Sequence, residues 1–168
     1  VTVAGDDNEL HVQIPTLGVI GHSGLFSVDP GPLATIDLTV DETVLDDGVN
    51  AGEPFPLAAE GVDAFGNRVS GSATVTLKNV AGGMDVEELV LVDGVAFQWV
   101  VMTRAASGDS IWAVVDPVIL GGSSAFDVRP GEVAGLSASM TTPWAFVGRE
   151  VDVHVALVDD YGNVTEGG

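Results

Sequence analysis

Phe-Ser-Val-Asp-Pro-Gly-Pro-Leu-Ala-Thr-Ile, at residues 26–36, returns at residues 126–136 as Phe-Asp-Val-Arg-Pro-Gly-Glu-Val-Ala-Gly-Leu. Seven of these eleven positions are identical or exchange one aliphatic residue for another. An offset of 100 residues has the size of one small domain and is far longer than one turn of a solenoid. The two stretches therefore predict a tandem array of similar domains.

A second match sets the phase of this array. Residues 62–67 return at 158–163, an offset of 96, and residues 9–28 align with 109–128 without a gap. We therefore expect residues 1–28 to be the C-terminal strands of one domain, 29–128 a complete domain, and 129–168 the N-terminal strands of a third. On this interpretation the chain is a window on a longer array.

The composition predicts an all-β fold. The chain has 22 Gly and 8 Pro, and its Val, Thr, Ile and aromatic residues stand in short runs separated by turn residues, which is typical of strands. No long stretch has helical periodicity. In the complete domain we predict seven strands in two packed sheets, at 33–40, 55–62, 72–78, 88–92, 95–102, 109–115 and 124–128. Strands at 11–14, 24–28, 133–140 and 151–158 are expected in the two outer segments.

The first predicted strand shows the pattern of a half-buried strand. Ala34, Ile36, Leu38 and Val40 alternate with polar residues and are expected to face the core. The next ten residues or so, 41–52, read as a polar, turn-rich stretch. Asp93-Gly94 between two apolar runs predicts a two-residue hairpin turn.

The charge excludes several classes of partner. With 25 acidic and five basic residues, the formal net charge is −20. Nucleic acid is excluded because phosphate binding needs basic clusters, and anionic membranes would repel the chain. Three explanations of the acidity stay open: solubility of a crowded surface protein, adaptation to high salt, and calcium-loaded domain junctions.

The cysteine content and the lengths of the apolar runs indicate the cellular location of the protein. The chain has no cysteine, which fits an extracellular prokaryotic protein better than a secreted eukaryotic sandwich. The sequence contains no apolar run long enough to cross a bilayer, so membrane insertion of this segment is not expected. We expect an extracellular or cell-surface location.

A local motif occurs twice and resembles a known family. Asp63-Ala64-Phe65-Gly66-Asn67 and Asp159-Asp160-Tyr161-Gly162-Asn163 resemble the Asp-x-x-Gly-Asn turn of bacterial immunoglobulin-like repeats, as found in invasin- and intimin-type adhesins. The resemblance implies an immunoglobulin-like sandwich in a surface protein. In such a turn the Gly takes a positive φ and a polar side chain caps the backbone, with Phe65 or Tyr161 folded over the end of the core.

Few side chains qualify as ligands. His11, His22 and His154 are placed in different elements without a second ligand at metal spacing, so solvent-facing or edge positions are expected for them. Calcium is conceivable at the acidic clusters, with Asp6, Asp7, Glu9, Asp41, Asp46 and Asp47 as candidates, although solvated loop carboxylates are the simpler interpretation.

The three tryptophans receive different predictions. Trp99 and Trp112 alternate with apolar strand residues and are predicted to lie in the core. Trp144 and Phe146 fall in a loop and form a possible ligand platform, with interdomain packing as the alternative.

These observations predict a non-catalytic, structural protein without a cofactor. It would be a segment of an extracellular stalk, filament or adhesin shaft, joined to neighbouring domains by short linkers at Pro30-Gly31 and Pro130-Gly131, which set the interdomain angle. Two alternatives stay open. The chain could be a self-assembling subunit whose half-domains complement those of identical chains head to tail, or a glycan- or receptor-binding adhesin module.

Overall fold

The structure, a computed structural model, describes residues 2–115 and 117–165, and all but one of its regular elements are strands. The N-terminal strands are β1 (Gly5–Asn8), β2 (His11–Ile14), β3 (Val19–His22) and β4 (Phe26–Val28). The central elements are β5 (Thr35–Val40), α1 (Glu42–Asp47), β6 (Val49–Asn50), β7 (Pro54–Val62), β8 (Ser72–Asn79), β9 (Glu88–Val92), β10 (Val95–Val101), β11 (Ala106–Asp109), β12 (Ile111–Val115), β13 (Val118–Gly122) and β14 (Phe126–Arg129). A C-terminal hairpin follows, made of β15 (Gly135–Met140) and β16 (Val153–Val158). Residue 1 and residues 166–168, the outer ends of two predicted segments, lie outside the described residues.

The central elements form two sheets around one core. Seven strands pair in the order β13-β12-β8-β9-β10-β7-β5, and three more in the order β11-β14-β6. The larger sheet curls until its two edges meet, because β13 contacts β5. A Cβ added to Gly121 would collide with the carbonyl oxygen of Ile36, so this close approach of two backbones requires glycine. The predicted all-β sandwich is confirmed.

The core follows the alternation that the sequence predicts. Ile36, Leu38 and Val40 of β5 are buried, as expected, while Ala34 is half-buried. The rings of Phe55 and Phe126 meet edge to face across the core, with centroids 5.5 Å apart. Every member of the hydrophobic core cluster belongs to residues 36–128.

Short elements that the sequence did not predict appear at two places. The polar stretch 41–52 contains α1, because Asp41 caps the helix by accepting hydrogen bonds from the N–H and hydroxyl of Thr43 at 2.9 and 2.6 Å. These bonds hold the pKa of Asp41 below its ordinary value. Val44 of α1 packs into the core. The last two predicted strands, 109–115 and 124–128, correspond to four strands in the structure, β11 to β14. The chain switches from one sheet to the other between β11 and β12.

The prediction that Trp99 and Trp112 lie in the core is wrong. Trp99 is 56% exposed and Trp112 is 37% exposed, whereas Val100 is fully buried. β10 carries apolar residues on both faces, so its alternation does not reveal which face is inside. Trp112 lies over Gly122, where an added Cβ would come within 2.9 Å of its ring.

The C-terminal hairpin pairs in the same register as β5 and β7. Thr35 lies opposite Val62 and Val40 opposite Leu57, and the pairs Gly135–Val158 and Met140–Val153 occupy the corresponding positions. Leu136, the counterpart of the buried Ile36, is 70% exposed. The described residues therefore leave one apolar face of this hairpin uncovered.

The N-terminal strands correspond to β11–β14, but not with a constant offset. Ser23 N–H donates to Leu10 O at 2.9 Å, and Ser123 N–H donates to Ile111 O at 2.8 Å. The offset is therefore 100 at the serines and 101 at their partners, so the gapless alignment of residues 9–28 with 109–128 is wrong. The β2–β3 pairing has a regular register, whereas the β12–β13 pairing has a bulge after Ala113. His11 consequently corresponds to Trp112.

Candidate functional site: a hydrogen-bonded junction that occurs twice

Each Asp-x-x-Gly-Asn turn is organised by its aspartate. Asp63 Oδ1 accepts hydrogen bonds from the N–H groups of Phe65 and Asn67 at 2.8 and 2.9 Å. Gly66 adopts φ +82°, a left-handed conformation that glycine adopts without steric cost. Val62 and Arg68 then form an antiparallel bridge that closes the loop.

The second turn has the same geometry. Asp159 Oδ1 accepts from the N–H groups of Tyr161 and Asn163 at 2.9 and 2.8 Å, and Gly162 also has φ +82°. Both aspartates are buried, with 3% and 4% of their surface exposed. A carboxylate can be buried in this way because backbone and side-chain donors surround it.

The same donors lower the pKa of both aspartates. For Asp63 the largest cause is the hydrogen bond from the Asn67 side chain; N–H groups of Gly31, Asn67 and Phe65 add to it and together outweigh the opposing effect of burial. For Asp159 burial raises the pKa, but bonds from the Asn163 side chain and from backbone N–H groups more than compensate for it. Both carboxyl groups are therefore ionised at neutral pH.

The asparagine side chain of each turn forms hydrogen bonds with backbone atoms that lie about 60 residues earlier in the sequence. Asn67 Oδ1 accepts from Ala4 N–H, and its Nδ2 donates to Thr2 O, both at 2.9 Å. Asn163 Oδ1 accepts from Ala105 N–H, and its Nδ2 donates to Thr103 O, again at 2.9 Å. In both cases the side-chain amide bonds to a short backbone segment just before β1 or β11. The two bonded segments are 101 residues apart in the sequence.

Gly31 and Gly131, the glycines of the two predicted linkers, bond to the same aspartates. Gly31 N–H donates to Asp63 Oδ2 and Gly131 N–H donates to Asp159 Oδ2, each at 2.8 Å. A Cβ on Gly131 would lie 2.8 Å from Ala51 O, so the linker passes too close to the central strands for a side chain there. Pro30 and Pro130 directly precede these glycines, and the linker therefore lies in the same hydrogen-bonded unit as the turn.

The aromatic residue of the turn does not fold over its own core. The Tyr161 ring lies against Gly52, where an added Cβ would be 2.7 Å from Cε2. Gly52 follows β6, and its N–H donates to Met102 O at 2.8 Å. Tyr161 thus packs against the end of the central strands, while Phe65, its counterpart, is 66% exposed.

The sequence did not indicate the partners of this junction. Thr2, Ala4, Thr103 and Ala105 take part through backbone atoms, and Gly52 takes part by lacking a side chain. The sequence signal for these partners is the recurrence of Thr2 and Ala4 as Thr103 and Ala105, at an offset of 101 residues, which lies outside the stretches that were matched.

The other predicted ligand residues lie apart from the junction. Trp144 and Phe146 contact each other edge to face at 5.2 Å and are 61% and 69% exposed.

The acidic candidates do not gather into an oxygen-rich site among the described residues. Asp41 caps α1, and Asp46 and Asp47 belong to that helix. Asp6 and Asp7 lie in β1. Within the part of the chain that the structure describes, one group of three potential metal ligands lies within 4.8 Å, and it consists of Glu9, His11 and His22.

The predicted solvent-facing positions of the histidines are confirmed, since His11, His22 and His154 are all exposed, but the expectation that no second ligand lies near them is wrong for His11 and His22. His11 and His22 lie directly opposite each other on β2 and β3, with ring centroids 4.4 Å apart. The sequence placed them in separate elements without a second ligand, because the pairing of β2 with β3 was not recognised. His154 lies apart from them on β16, opposite Ser139.

Comparisons with known proteins identify the fold. No family model matches the chain, and no curated protein matches it significantly. The chain is similar in structure to FdeC, an adhesin of Escherichia coli, with a TM-score of 0.56 and 20% sequence identity over 99% of this chain. It spans 54% of the length of that solved structure. In the described residues, no helix has the length and apolarity to cross a membrane. The likeness shows an immunoglobulin-like fold of the kind found in a bacterial adhesin, and it does not single out the invasin- and intimin-type repeats.

Proposed function

We propose that the chain is a non-catalytic segment of a surface stalk or adhesin shaft built from immunoglobulin-like domains in tandem. The proposed boundaries are 1–28, 29–128 and 129–168. In this account each Asp-x-x-Gly-Asn turn fastens its domain to the preceding one. The observation that carries the proposal is the recurrence of the junction: Asn67 and Asn163 each make the same pair of 2.9 Å bonds to backbone of the preceding proposed domain.

The chemistry of the junction suits repeated use. Its hydrogen bonds end on backbone groups, so neighbouring domains can differ in sequence without losing the contact. The buried aspartate ties the linker glycine to the turn, which restricts the rotation that a free linker would allow. A row of such junctions would hold the domains at a regular angle.

The surface location rests on two supports. The similar structure belongs to an adhesin, and the net charge of −20 favours solubility and mutual repulsion in a crowded layer. The absence of cysteine means that no disulfide stabilises the fold, so its stability must come from the core and the junctions.

Scattering in solution tests this proposal against self-assembly. Light scattering and small-angle X-ray scattering would be recorded on the 168-residue chain over a concentration series, with and without calcium. A stalk segment should stay monomeric and elongated at every concentration. Growth into longer particles with concentration would contradict the proposal and favour the subunit that assembles head to tail.

The strand inventory supports the stalk over the assembling subunit. The outer segments contain counterparts of β5, β7 and β11–β14, but the described residues hold no second copy of β8, β9 or β10. In the larger sheet those three strands lie between β12 and β7. Two complementing segments would therefore lack the centre of the sheet.

A second candidate function, a binding module, is favoured by one exposed surface. The outward faces of β9 and β10 carry a stripe of apolar residues, each 44–63% exposed, which we call the β9–β10 stripe: Val90, Val92, Val95, Phe97 and Trp99. Phe97 and Trp99 contact each other edge to face at 6.0 Å. Exposed apolar patches of this kind often mark interaction sites. A glycan array and a cell-binding assay test this function: binding that Trp99→Ala removes and Trp144→Ala preserves would support it, and the absence of binding would contradict it.

A further inference from the structure

Three potential metal ligands converge on the hairpin formed by β2 and β3. His11 Nε2 lies 2.8 Å from Glu9 Oε2, and His22 Nδ1 lies 3.5 Å from Glu9 Oε1. The carboxylate of Glu9 thus faces both imidazoles. The two rings meet at an interplanar angle of 72°, and one ligand atom from each of the three side chains lies within 4.8 Å of the others.

The pairing of the strands explains this convergence. Leu10 and Ser23 form a backbone hydrogen bond of 2.9 Å, so the next pair, His11 and His22, belongs to the non-hydrogen-bonded type, in which side chains lie closest. Glu9 precedes His11 by two residues and therefore projects from the same face. The backbone of the hairpin places all three ligands before any metal binds.

These positions face solvent and are not required by the fold. The side chains of His11 and His22 are 60% and 51% exposed. The corresponding pair in the central strands is Trp112 with Gly122, also on the outer face. Since a bulky aromatic with glycine serves equally well there, the histidine pair is not needed for packing.

We propose that Glu9, His11 and His22 bind a divalent transition-metal ion such as Zn²⁺. Two imidazole nitrogens and one carboxylate oxygen form the usual protein ligand set for zinc with one position left for water. Zn–N and Zn–O bonds of about 2.0–2.2 Å place tetrahedral ligand atoms roughly 3.3 Å apart. The distances of 2.8 and 3.5 Å are close to that value but run to the two different oxygens of Glu9, so binding through one oxygen requires the carboxylate and the imidazoles, whose ligand atoms lie within 4.8 Å, to rotate toward a common centre.

The donor set also selects against calcium. Ca²⁺ takes about six to eight oxygen ligands, and this group offers one carboxylate. The acidic surface of the chain would raise the local concentration of any cation, but only a metal that accepts imidazole nitrogen gains from His11 and His22. Because both strands of the hairpin contribute a ligand, the ion would cross-link β2 to β3.

The test is zinc titration of the full chain without an affinity tag, by calorimetry and by NMR of the histidine ring signals. We expect one ion per chain and shifts confined to Glu9, His11 and His22. Loss of an outer-sphere partner already weakens metal binding about 10- to 100-fold, so His11→Ala and His22→Ala, which each remove a direct ligand, should weaken it at least as much. Glu9→Gln should weaken binding less than either histidine variant.

His154→Ala is the matched control, because it removes the remaining histidine of the chain and should leave the affinity for Zn²⁺ unchanged. Amide spectra of the variants would establish that the hairpin is intact, as expected for exposed side chains. The proposal is overturned if zinc fails to bind, or if it binds with equal affinity after His11→Ala and His22→Ala. It is independent of the stalk function, which the scattering experiment tests without zinc.

Discussion

Asn163 accepts a hydrogen bond of 2.9 Å from the backbone N–H of Ala105, a residue 58 positions earlier in the chain. The same amide group donates to Thr103 O and to Asp159 Oδ2. One side chain therefore joins the backbone between β10 and β11 to the turn that follows β16. The equivalent bond from Ala4 to Asn67 gives the N-terminal strands the same attachment.

Asn163→Ala should open this junction without unfolding the central strands. It leaves Ala105 N–H and Thr103 O without their partner, which costs about 1–3 kcal/mol when such groups are buried. Hydrogen exchange at the Ala105 amide should then accelerate roughly tenfold or more. Asn50→Ala is the control, because its exposed side chain bonds Glu53 within its own turn. Unchanged exchange at Ala105 would contradict the role given to Asn163.

Gly52→Ala should displace the Tyr161 ring from the end of the central strands. The new Cβ would lie 2.7 Å from Tyr161 Cε2 and would also have to tolerate φ +89°. Tyr161 is the single tyrosine of the chain, so its ring signals in an NMR spectrum report this contact directly. Gly71→Ala is a matched control, with φ +78° and open space around the added carbon. If both variants leave the Tyr161 signals unchanged, the ring does not pack on Gly52.

The junction should weaken in acid. Asp63 and Asp159 have a pKa below the ordinary aspartate value of 3.8. A carboxyl group of this kind contributes stability above its unfolded-state pKa, and the contribution disappears as the pH falls through its lower folded-state pKa. Thermal unfolding should therefore vary little near neutral pH and move to lower temperature below pH 3.8. Asp159→Asn, which has no titrating group at this position, should show a shallower decline, and an equally steep one would count against the assignment.

Truncation of two adjacent residues of β10 should destabilise the fold to very different extents. Val100 is fully buried, so Val100→Ala should destabilise the fold by about 2 kcal/mol through lost burial and a cavity. Trp99 is 56% exposed, and Trp99→Ala should cost well below that despite removing more atoms. Chemical denaturation measures both. A larger loss of stability for Trp99→Ala than for Val100→Ala would indicate that Trp99 lies in the core.

Local signals account for what the sequence predicted well. β5 alternates strictly, and Asp93-Gly94 adopts the positive φ angles, 49° and 76°, that a two-residue hairpin turn requires. The Asp-x-x-Gly-Asn turn is likewise encoded by neighbouring residues, since Asp63 bonds to N–H groups two and four positions ahead. These features depend on short-range chemistry that one stretch of sequence contains.

The features that were missed depend on pairing between distant segments. Trp99 was misplaced because both faces of β10 are apolar, and only the neighbouring strands decide which face is buried. The His11–His22 pair depends on the pairing of β2 with β3, and the sequence predicted no strand at the position of β3. The junction escaped because Asn163 binds backbone atoms, and backbone acceptors have no side-chain signature in a sequence.

The most direct test of the stalk account is the distance distribution across one junction. The chain has no cysteine, so Thr76→Cys and Ser139→Cys, both at exposed strand positions, can carry spin labels for double electron–electron resonance. The account predicts one narrow distance distribution that broadens markedly when Asn163→Ala is added. A distribution that is already broad with Asn163 present, or one that stays narrow without it, would contradict a junction held by this side chain.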